Sequence, residues 1–266
     1  MLRVAEPIEA ANAWPVLPCV PLFGIGVHAM TMQEAVATIG EWLDQPWGRC
    51  RYVVTPNTDH VVLLQQHAGL RQAYAGADLV LADGWPLVFA SRWLGKPLPA
   101  RVAGSDLVPA LLAARPGMRV FLLGAAPGVA ATAAHRIRAT WPGVDVTGTW
   151  SPPPGFEQDK LESQRILRRI AEALPDLLVV GLGAPKQELW VHQCSSQLRA
   201  KVAVCAGATI DFLAGHRRRA PQWMRRIGLE WLHRMMCEPR RLSGRYLRDA
   251  IQFPGIVLRE RLAGSG

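Results

Sequence analysis

The sequence lacks three patterns that would define chemistry or location at once: a DxD motif, a CxxC pair and an uninterrupted apolar run of about 18 residues. Without DxD there is no carboxylate pair of the kind that usually holds a divalent metal on a nucleotide diphosphate, so we expect no metal. Without the apolar run we expect no membrane-spanning helix. Glu6 and Glu9 stand where an export signal needs a basic start and an apolar block, so we also expect no leader.

Cysteine is scarce, with five in 266 residues, and none of the five stands in a Cys/His spacing typical of a zinc site. An odd number of scattered cysteines suits buried thiols in a reducing cytosol, so we expect neither a disulfide nor a structural zinc. The histidines also lack a ligand spacing. We therefore expect His60, His135 and His192 on helix surfaces.

Acidic residues are the scarcer charge, with 21 Asp and Glu against 30 Lys and Arg, but this imbalance is local. Residues 217–248 contain ten arginines and two acids, and so contribute +8 of the formal net charge of +9. Trp223, Ile227, Trp231 and Met235 are threaded among the arginines, mostly on one broad arc of a helical wheel. This segment is typical of one that meets an anionic, partly apolar surface; a solvated basic face and a contact between two copies are the alternatives.

The composition, 50% apolar with 19% charged residues, predicts one large globular domain with a C-terminal tail. Short apolar runs alternate with helical segments, and most runs are continuous, which is typical of strands covered by helices on both faces. We predict an α/β, Rossmann-like layered fold with a mainly parallel sheet, formed by a catalytic domain (1–215) and a basic helical appendage (216–266). The predicted strands cover residues 21–27, 51–55, 79–82, 119–123, 144–147, 177–181 and 201–205.

Unusual polar residues and glycines gather directly after the predicted strands. The carboxyl ends of parallel strands form one rim of an open sheet, where ligands bind, so we expect six loops to converge on one pocket. The residues concerned are Thr55, Asn57, Asp83, Gly84, Gly124, Trp150, Ser151, Lys186, Gln187 and Asp211.

Each of these signals has a functional and a structural interpretation. Asp83 is either a desolvated general base or an acceptor of backbone amides in an Asp-Gly turn. Asn57 either only caps the helix that begins near Thr58 or also binds a sugar hydroxyl. Residues 124–128 either hold a phosphate at a helix N-terminus or form a plain tight turn. In residues 181–187, two glycines, a Lys and a Gln either approach phosphate and sugar oxygens or form a solvated turn.

Taken together, these motifs resemble those of the WecG/TagA/CpsF family of bacterial glycosyltransferases, which also includes the xanthan-type glucosyltransferases. The resemblance extends from about Gly24 to Tyr246. Eight blocks carry it: TPNTDHV (55–61), ADGWPLV (82–88), RVAGSDL (101–107), FLLGAAPG (121–128), SPPPGF (151–156), GLGAPKQELW (181–190), DFLAG (211–215) and RAPQWMRRIGLEWLHRMMCEPRRL (219–242).

The resemblance implies transfer of a hexose, of the glucose or N-acetylmannosamine type, from a UDP-sugar to a lipid-diphosphate-linked sugar in exopolysaccharide or cell-surface glycan biosynthesis. The reaction would invert the anomeric carbon, need no metal, and occur in the cytoplasm on the inner face of the membrane. By position, Asp83 would deprotonate the acceptor hydroxyl, and Thr55 and Asn57 would line the sugar site. The nucleotide site would contain Gly124, Trp150, Lys186, Gln187 and Asp211. The acceptor and membrane positions would be Arg101, Arg219, Arg234 and Arg240, and the arginine-rich appendage would attach to the membrane and complete the active site.

Two other functions fit parts of the sequence. An NAD(P)-dependent oxidoreductase could use the same kind of sheet, but GxGxxG is missing and Asp145 lies within its predicted strand instead of at the end. A nucleic-acid-binding module would use the arginines but leaves Asp83 and Gln187 without a role. We therefore expect a UDP-sugar, a lipid-linked acceptor and an anionic membrane as partners, and no nucleic acid; self-association stays open.

Overall fold

The structure is a computed structural model that describes residues 17–263, apart from the side chains of Arg226 and Arg241. Glu6 and Glu9, on which the expectation about a leader depends, lie outside the described residues. So does the beginning of the predicted 1–215 domain.

The described chain alternates strands and helices and ends in a run of helices. The strands are β1 (Cys19–Leu22), β2 (Ile25–His28), β3 (Arg51–Val54), β4 (Leu79–Val80), β5 (Arg119–Gly124), β6 (Asp145–Trp150), β7 (Leu177–Gly181) and β8 (Val202–Cys205). The helices up to the last strand are α1 (Met32–Asp44), α2 (Thr58–Gln66), α3 (Ala68–Ala75), α4 (Trp85–Trp93), α5 (Gly104–Ala114), α6 (Val129–Thr140), α7 (Lys160–Ala173) and α8 (Lys186–Cys194), with a 3₁₀ turn at Phe156–Gln158. The helices that follow are α9 (Thr209–Ala214), α10 (Gln222–Arg226), α11 (Glu230–Cys237) and α12 (Pro239–Ala263).

The central sheet has six strands in the order β4-β3-β8-β7-β5-β6, and every neighbouring pair is parallel. The apolar runs are continuous because helices cover both faces, with one hydrophobic core on each side of the sheet. The predicted Rossmann-like α/β fold is therefore confirmed. Because β8, the last strand in the chain, lies between β3 and β7, the loops that follow these three strands are neighbours at the carboxyl edge.

Local capping explains where two of the helices begin. Thr31 and Glu34 form a capping box at the start of α1, in which each side chain accepts from the other residue's backbone amide. Asp159 accepts from the amides of Leu161 and Glu162 and so caps α7.

Two expectations about local structure are wrong. The strand predicted at 21–27 is a hairpin of β1 and β2, because Phe23 and Gly24 both have positive φ and reverse the chain in two residues. Burial of all the thiols is contradicted as well, since Cys19 and Cys237 are exposed.

The C-terminal helices pack onto the sheet domain through α12, which lies along α2. Leu242, Ile256 and Val257 of α12 are buried, so this helix contributes to the core. Within residues 17–263, no helix combines the length and the apolar content needed to cross a bilayer.

Candidate active site

A cleft of about 730 Å³ opens at the carboxyl edge of the sheet. Each of the six predicted loops contributes to its lining, through Asn57, Asp83, Ala126, Pro152, Gln187 and Asp211. The C-terminal helices form the opposite wall, through Trp231, Arg234, Arg245, Tyr246, Asp249 and Phe253. The expected convergence of loops is therefore present, and residues after 215 complete the enclosure.

Asp83 lies directly beyond β4, where its backbone amide donates to the carbonyl of Pro56 over 2.8 Å. This bond joins the loop after β4 to the loop after β3. Gly84 follows with φ of 142°, a conformation that favours glycine, and α4 begins immediately after it. In the described part of the chain no backbone amide donates to the Asp83 carboxylate, so the geometry does not match the Asp-Gly turn interpretation.

The Asp83 carboxyl group is strongly perturbed by its surroundings. Its side chain is 28% exposed, on the cleft side. Burial raises the pKa of Asp83 to about 6, while the positive charge of Arg101 opposes the rise and the negative charge of Glu230 adds to it. A carboxyl group with this pKa is ionised at neutral pH and holds a proton more strongly than an exposed aspartate, as a general base requires.

Arg101 lies among three carboxylates at this end of the cleft. Its guanidinium contacts Asp106 over 2.6 Å, Glu230 over 3.3 Å and Asp83 over 3.6 Å. Because the guanidinium is shared, Asp83 does not have this cation to itself. Arg101 also connects the sheet domain to α11, because Glu230 is the first residue of that helix.

Two arginines of the basic segment join the same cluster. Arg219 contacts Asp106 over 2.8 Å and also donates to the carbonyl and the hydroxyl of Ser105. Arg225 contacts Asp106 over 3.0 Å. These pairs hold the chain around α10 and α11 over the cleft.

Thr55 and Asn57 both line the cleft, in the loop between β3 and α2. The Thr55 hydroxyl donates to the carbonyl of Cys205 over 3.3 Å, which ties this loop to β8. The Asn57 Oδ1 atom accepts from the amide of His60 over 3.3 Å and so caps α2. Asn57 therefore caps α2 and also lines the cleft, while its binding of a sugar hydroxyl stays a prediction.

Gln187 is buried at the start of α8 and connects two glycine loops. Its Oε1 atom accepts from the amide of Gly183 over 3.2 Å and from the amide of Gly207 over 3.3 Å. Its Nε2 atom donates to Glu188 over 2.7 Å. Gln187 thus sets the spacing between the loops after β7 and β8, which both line the cleft.

Lys186 and Asp211, which were also predicted to belong to the site, form ion pairs. Lys186 is half-exposed and contacts Glu157 over 2.5 Å, which lowers the pKa of that carboxyl group. Asp211 contacts Arg217 over 3.5 Å. Lys186 and Asp211 both line the cleft.

Gly124 and Trp150 do not line the cleft. Gly124 is buried with φ of 122°, and a Cβ atom there would collide with the carbonyl of Gly181, so the close approach of β5 to β7 requires glycine. The Trp150 indole donates to Glu162 over 3.0 Å and lies under the guanidinium of Arg169 at 3.9 Å. Both residues therefore stand behind the loops that form the cleft.

The predicted acceptor and membrane arginines occupy different places. Arg101 and Arg234 line the cleft, Arg219 lies in the cluster around Asp106, and Arg240 is exposed in the first turn of α12. Five of the ten basic-segment arginines form ion pairs with acids of the described chain: Arg217, Arg219, Arg225, Arg245 and Arg248. A large part of the local charge therefore acts inside the protein.

Among residues 17–263 no three histidine, cysteine or acidic side chains come together in a group that could hold a metal ion. The carboxylates of Asp83, Asp106 and Glu230 are instead gathered around the guanidinium of Arg101.

Comparison with known proteins identifies the family of this chain. The model of the glycosyl transferase WecG/TagA/CpsF family matches residues 20–266. The chain belongs to this family of glycosyltransferases. The resemblance drawn from the eight sequence blocks is thus confirmed.

Two relatives of this glycosyltransferase cover most of its length. An N-acetylglucosaminyldiphosphoundecaprenol N-acetyl-beta-D-mannosaminyltransferase of Bacillus spizizenii is 34% identical over 202 residues, which is 75% of this chain and 76% of the relative. A protein of the same name from Staphylococcus aureus is 28% identical over 226 residues, covering 84% of this chain and 87% of the relative.

Sequence reasoning missed an ion-pair cluster that attaches α12 to the glycosyltransferase domain. Asp59, in the first turn of α2, contacts Arg248 closely and Arg245 over 3.5 Å, and Arg248 also contacts Asp249 over 3.0 Å. The TPNTDHV block contains Asp59, but nothing in the sequence indicates a partner 189 residues away.

His60 is also placed differently from the expectation of a helix-surface residue, which is wrong for this histidine. Its side chain is buried, and its Nδ1 atom lies 2.5 Å from the Tyr74 hydroxyl and 3.9 Å from Glu188. A polar network therefore extends from the glycosyltransferase cleft into the core.

Proposed function

We propose that this glycosyltransferase transfers a hexose, of the glucose or N-acetylmannosamine type, from a UDP-sugar to a lipid-diphosphate-linked sugar. The transfer inverts the anomeric carbon, needs no metal, and takes place in the cytoplasm on the inner face of the membrane.

One observation carries the proposal: a carboxylate with a raised pKa opens into the same cleft as two glycine-rich loops. Asp83 lies at one end, beside β4, and the loops that contain Gly183 and Gly207 line the cleft beyond β7 and β8. A base and a set of backbone donors in one enclosure fit a reaction that removes a proton and releases a phosphate.

In the mechanism, Asp83 accepts the proton of the acceptor hydroxyl as its oxygen attacks the anomeric carbon from the face opposite UDP. The new glycosidic bond forms while the bond to the β-phosphate oxygen breaks, and the electron pair leaves on UDP. Attack from the opposite face inverts the configuration. Thr55 and Asn57, in the loop hydrogen-bonded to that of Asp83, are suited to hold sugar hydroxyls.

The negative charge that develops on UDP needs compensation. The amide-rich loops around Gly183 and Gly207, together with Lys186 and Arg234, provide donors and positive charge at the cleft. These amides and cations would compensate the charge on UDP in place of the divalent ion that a DxD pair would hold.

The acceptor is proposed from the relatives. The proteins of Bacillus spizizenii and Staphylococcus aureus are named for transfer of N-acetylmannosamine to N-acetylglucosaminyldiphosphoundecaprenol. Coverage of three quarters or more of both chains supports a sugar on a lipid diphosphate as the acceptor here.

An apolar ridge on α12 supports attachment to the membrane. The ridge consists of Leu247, Ile251, Leu258 and Leu262, which are 51–69% exposed. Their spacing of four, seven and four residues places them on one side of the helix over about 22 Å, opposite the buried face that contains Asp249 and Ile256.

Charge complementarity supports an anionic lipid surface as the occupant of this ridge. Arg240, Arg259 and Arg261 lie along or beside the ridge and are exposed. An apolar stripe bordered by arginines is typical of a helix that lies in the plane of an anionic bilayer. The guanidinium of Arg261 lies over the exposed ring of Trp93, so the outer face of α4 extends the same surface.

We assign two roles to residues 216–266 as an appendage to the 1–215 domain. Its inward arginines close the cleft around Asp106 and Asp59, and its outward ridge lies on the bilayer. Together these contacts would hold the cleft next to a lipid-linked acceptor.

Isothermal titration calorimetry tests the ligand class. We expect UDP to bind with a Kd in the micromolar range, since the cleft supplies donors for two phosphates, and NADP⁺ and a duplex DNA to bind at least tenfold more weakly. Tighter binding of NADP⁺ than of UDP would favour the oxidoreductase. Salt-sensitive binding of DNA without binding of UDP would favour a nucleic-acid module.

A further inference from the structure

Glu188 is a buried carboxylate in the first turn of α8, with an exposed side-chain fraction of 0%. One oxygen, Oε1, accepts from the Nε2 atom of Gln187 over 2.7 Å. The other oxygen, Oε2, has no hydrogen-bond partner in the described chain. Burying a polar atom without a partner costs stability, so the fold alone gives no reason for a carboxylate here.

The carboxylate gives Gln187 a single orientation. A glutamine side chain can exchange its oxygen and nitrogen by a half-turn, but a carboxylate only accepts hydrogen bonds. Glu188 therefore draws the Nε2 atom towards itself and leaves Oε1 for the amides of Gly183 and Gly207. The reversed orientation would point the Nε2 donor at the two amide donors and the Oε1 acceptor at the carboxylate, which also only accepts.

The same carboxylate also lies close to α2, the helix that Asn57 caps. The Nδ1 atom of His60 lies 3.9 Å from Glu188, and the backbone amide of His60 donates to the Asn57 cap of α2. A chain of polar contacts thus runs from the glycine loops through Glu188 to the helix that carries Asn57. Burial and the charge of Glu188 both raise the pKa of Tyr74, which keeps that hydroxyl protonated beside His60.

We propose that Glu188 is a positioning residue for the donor: its carboxylate orients the Gln187 amide and so holds the loops of Gly183 and Gly207 at the spacing that binds UDP. The proposal rests on the proposed function, because UDP is the ligand of these loops there. A binding site loses affinity when the contacts that support its donors are removed, even if the donors themselves remain.

Three variants of Glu188 distinguish the effects of side-chain length, of negative charge and of hydrogen bonding to Gln187 on UDP binding. Glu188→Gln keeps an acceptor at the same distance and offers a donor in place of the unpaired oxygen. Glu188→Asp keeps the charge but is one methylene too short for Gln187, and Glu188→Met keeps the volume but accepts no strong hydrogen bond. The control is Asp176→Asn, at the opposite edge of the sheet. This substitution removes the negative charge that lies 3.3 Å from the Lys201 ammonium group.

The measurements are the Kd of UDP by calorimetry and the melting temperature of each variant. We expect Glu188→Met and Glu188→Asp to weaken UDP binding about tenfold and Glu188→Gln to stay within about threefold of wild type. Glu188→Met should melt no lower than wild type, because a buried charge with an unpaired oxygen has been removed. Asp176→Asn should melt lower with an unchanged Kd.

Wild-type affinity in both Glu188→Met and Glu188→Asp would overturn the proposal. So would a Glu188→Gln variant that binds UDP as weakly as Glu188→Asp, because an acceptor at the original distance would then not be enough to preserve UDP binding. If Glu188→Met does not fold, comparing the Kd of UDP between Glu188→Asp and Glu188→Gln still tests the proposal. Failure of the wild-type protein to bind UDP would instead reject the proposed function on which this inference rests.

Discussion

Replacing Asp83 by asparagine is expected to lower kcat by about 10²- to 10⁴-fold while the Kd of UDP stays within about threefold of wild type. Asparagine has nearly the same shape and keeps a polar contact with Arg101, which lies 3.6 Å from the carboxylate. It cannot accept the proton of the acceptor hydroxyl. The loss should therefore fall on the chemical step, measured as turnover with a UDP-sugar and a short-chain lipid-diphosphate sugar.

The control for this variant is Asp78→Asn, at the opposite end of the same strand. Asp78 accepts from the amide of Tyr52 over 3.0 Å, which asparagine can also do, and its ion pair with Arg49 lies far from the cleft. Its turnover should match wild type. Wild-type turnover in Asp83→Asn would remove Asp83 from the mechanism, whereas weaker UDP binding with unchanged kcat would make it a binding residue.

The pH dependence of kcat/KM provides a second test of the role of Asp83. Burial raises the pKa of Asp83 to about 6, and only the ionised form can accept a proton. For the wild type we expect kcat/KM to be level near pH 7 to 8 and to fall about tenfold per unit below pH 6. This acid limb should disappear in Asp83→Asn.

The second large effect concerns the α12 ridge. The double variant Ile251→Gln and Leu258→Gln is expected to bind anionic vesicles about 100-fold more weakly than wild type, because two apolar side chains no longer enter the bilayer. Neither substitution changes the charge, so electrostatic attraction is retained. Sedimentation with phosphatidylglycerol vesicles measures the effect.

The control replaces Leu161 of α7 by glutamine. Leu161 is 69% exposed, as is Ile251, but it lies outside the ridge, so vesicle binding should not change. Unaltered binding of the double variant would contradict membrane attachment through the ridge. If the double variant instead lost self-association in light scattering, the ridge would be a contact between two copies.

The sheet and its rim could be predicted from sequence because their signals are local. Continuous apolar runs indicate strands buried on both faces, and parallel strands bring residues such as Asn57, Asp83 and Gln187 to one edge wherever they occur in the chain. The hairpin around Phe23 was missed because a bulky residue with positive φ gives no turn signal.

Ion pairs between residues far apart in the sequence could not be predicted, and they give the basic segment a second role. Nothing in the sequence shows that Arg219 meets Asp106 or that Arg248 meets Asp59; the resemblance implies only that the arginines help to complete the active site and attach to the membrane. In the fold, many of them close the cleft. The outward apolar surface lies partly beyond them, on the exposed side chains of Ile251 and Leu258.

Burial of single polar side chains is equally hidden from sequence. Glu188 follows Gln187 at the start of a helix, where an acidic residue is normally solvated and favoured by the helix dipole. In the fold Glu188 lies 3.9 Å from His60, which in turn contacts Tyr74, and the three residues come from α8, α2 and α3. Only the assembled fold brings these three groups together.

The central claim is an inverting transfer from a UDP-sugar within the Asp83 cleft, and one measurement tests it most directly. The wild-type protein is incubated with a panel of UDP-hexoses and a short-chain lipid-diphosphate sugar, with and without EDTA, and the product is analysed by mass spectrometry and NMR. We predict one added hexose, a β-linkage from an α-configured donor, and an unchanged rate in EDTA. A retained α-linkage, or no product from any UDP-sugar, would contradict the account.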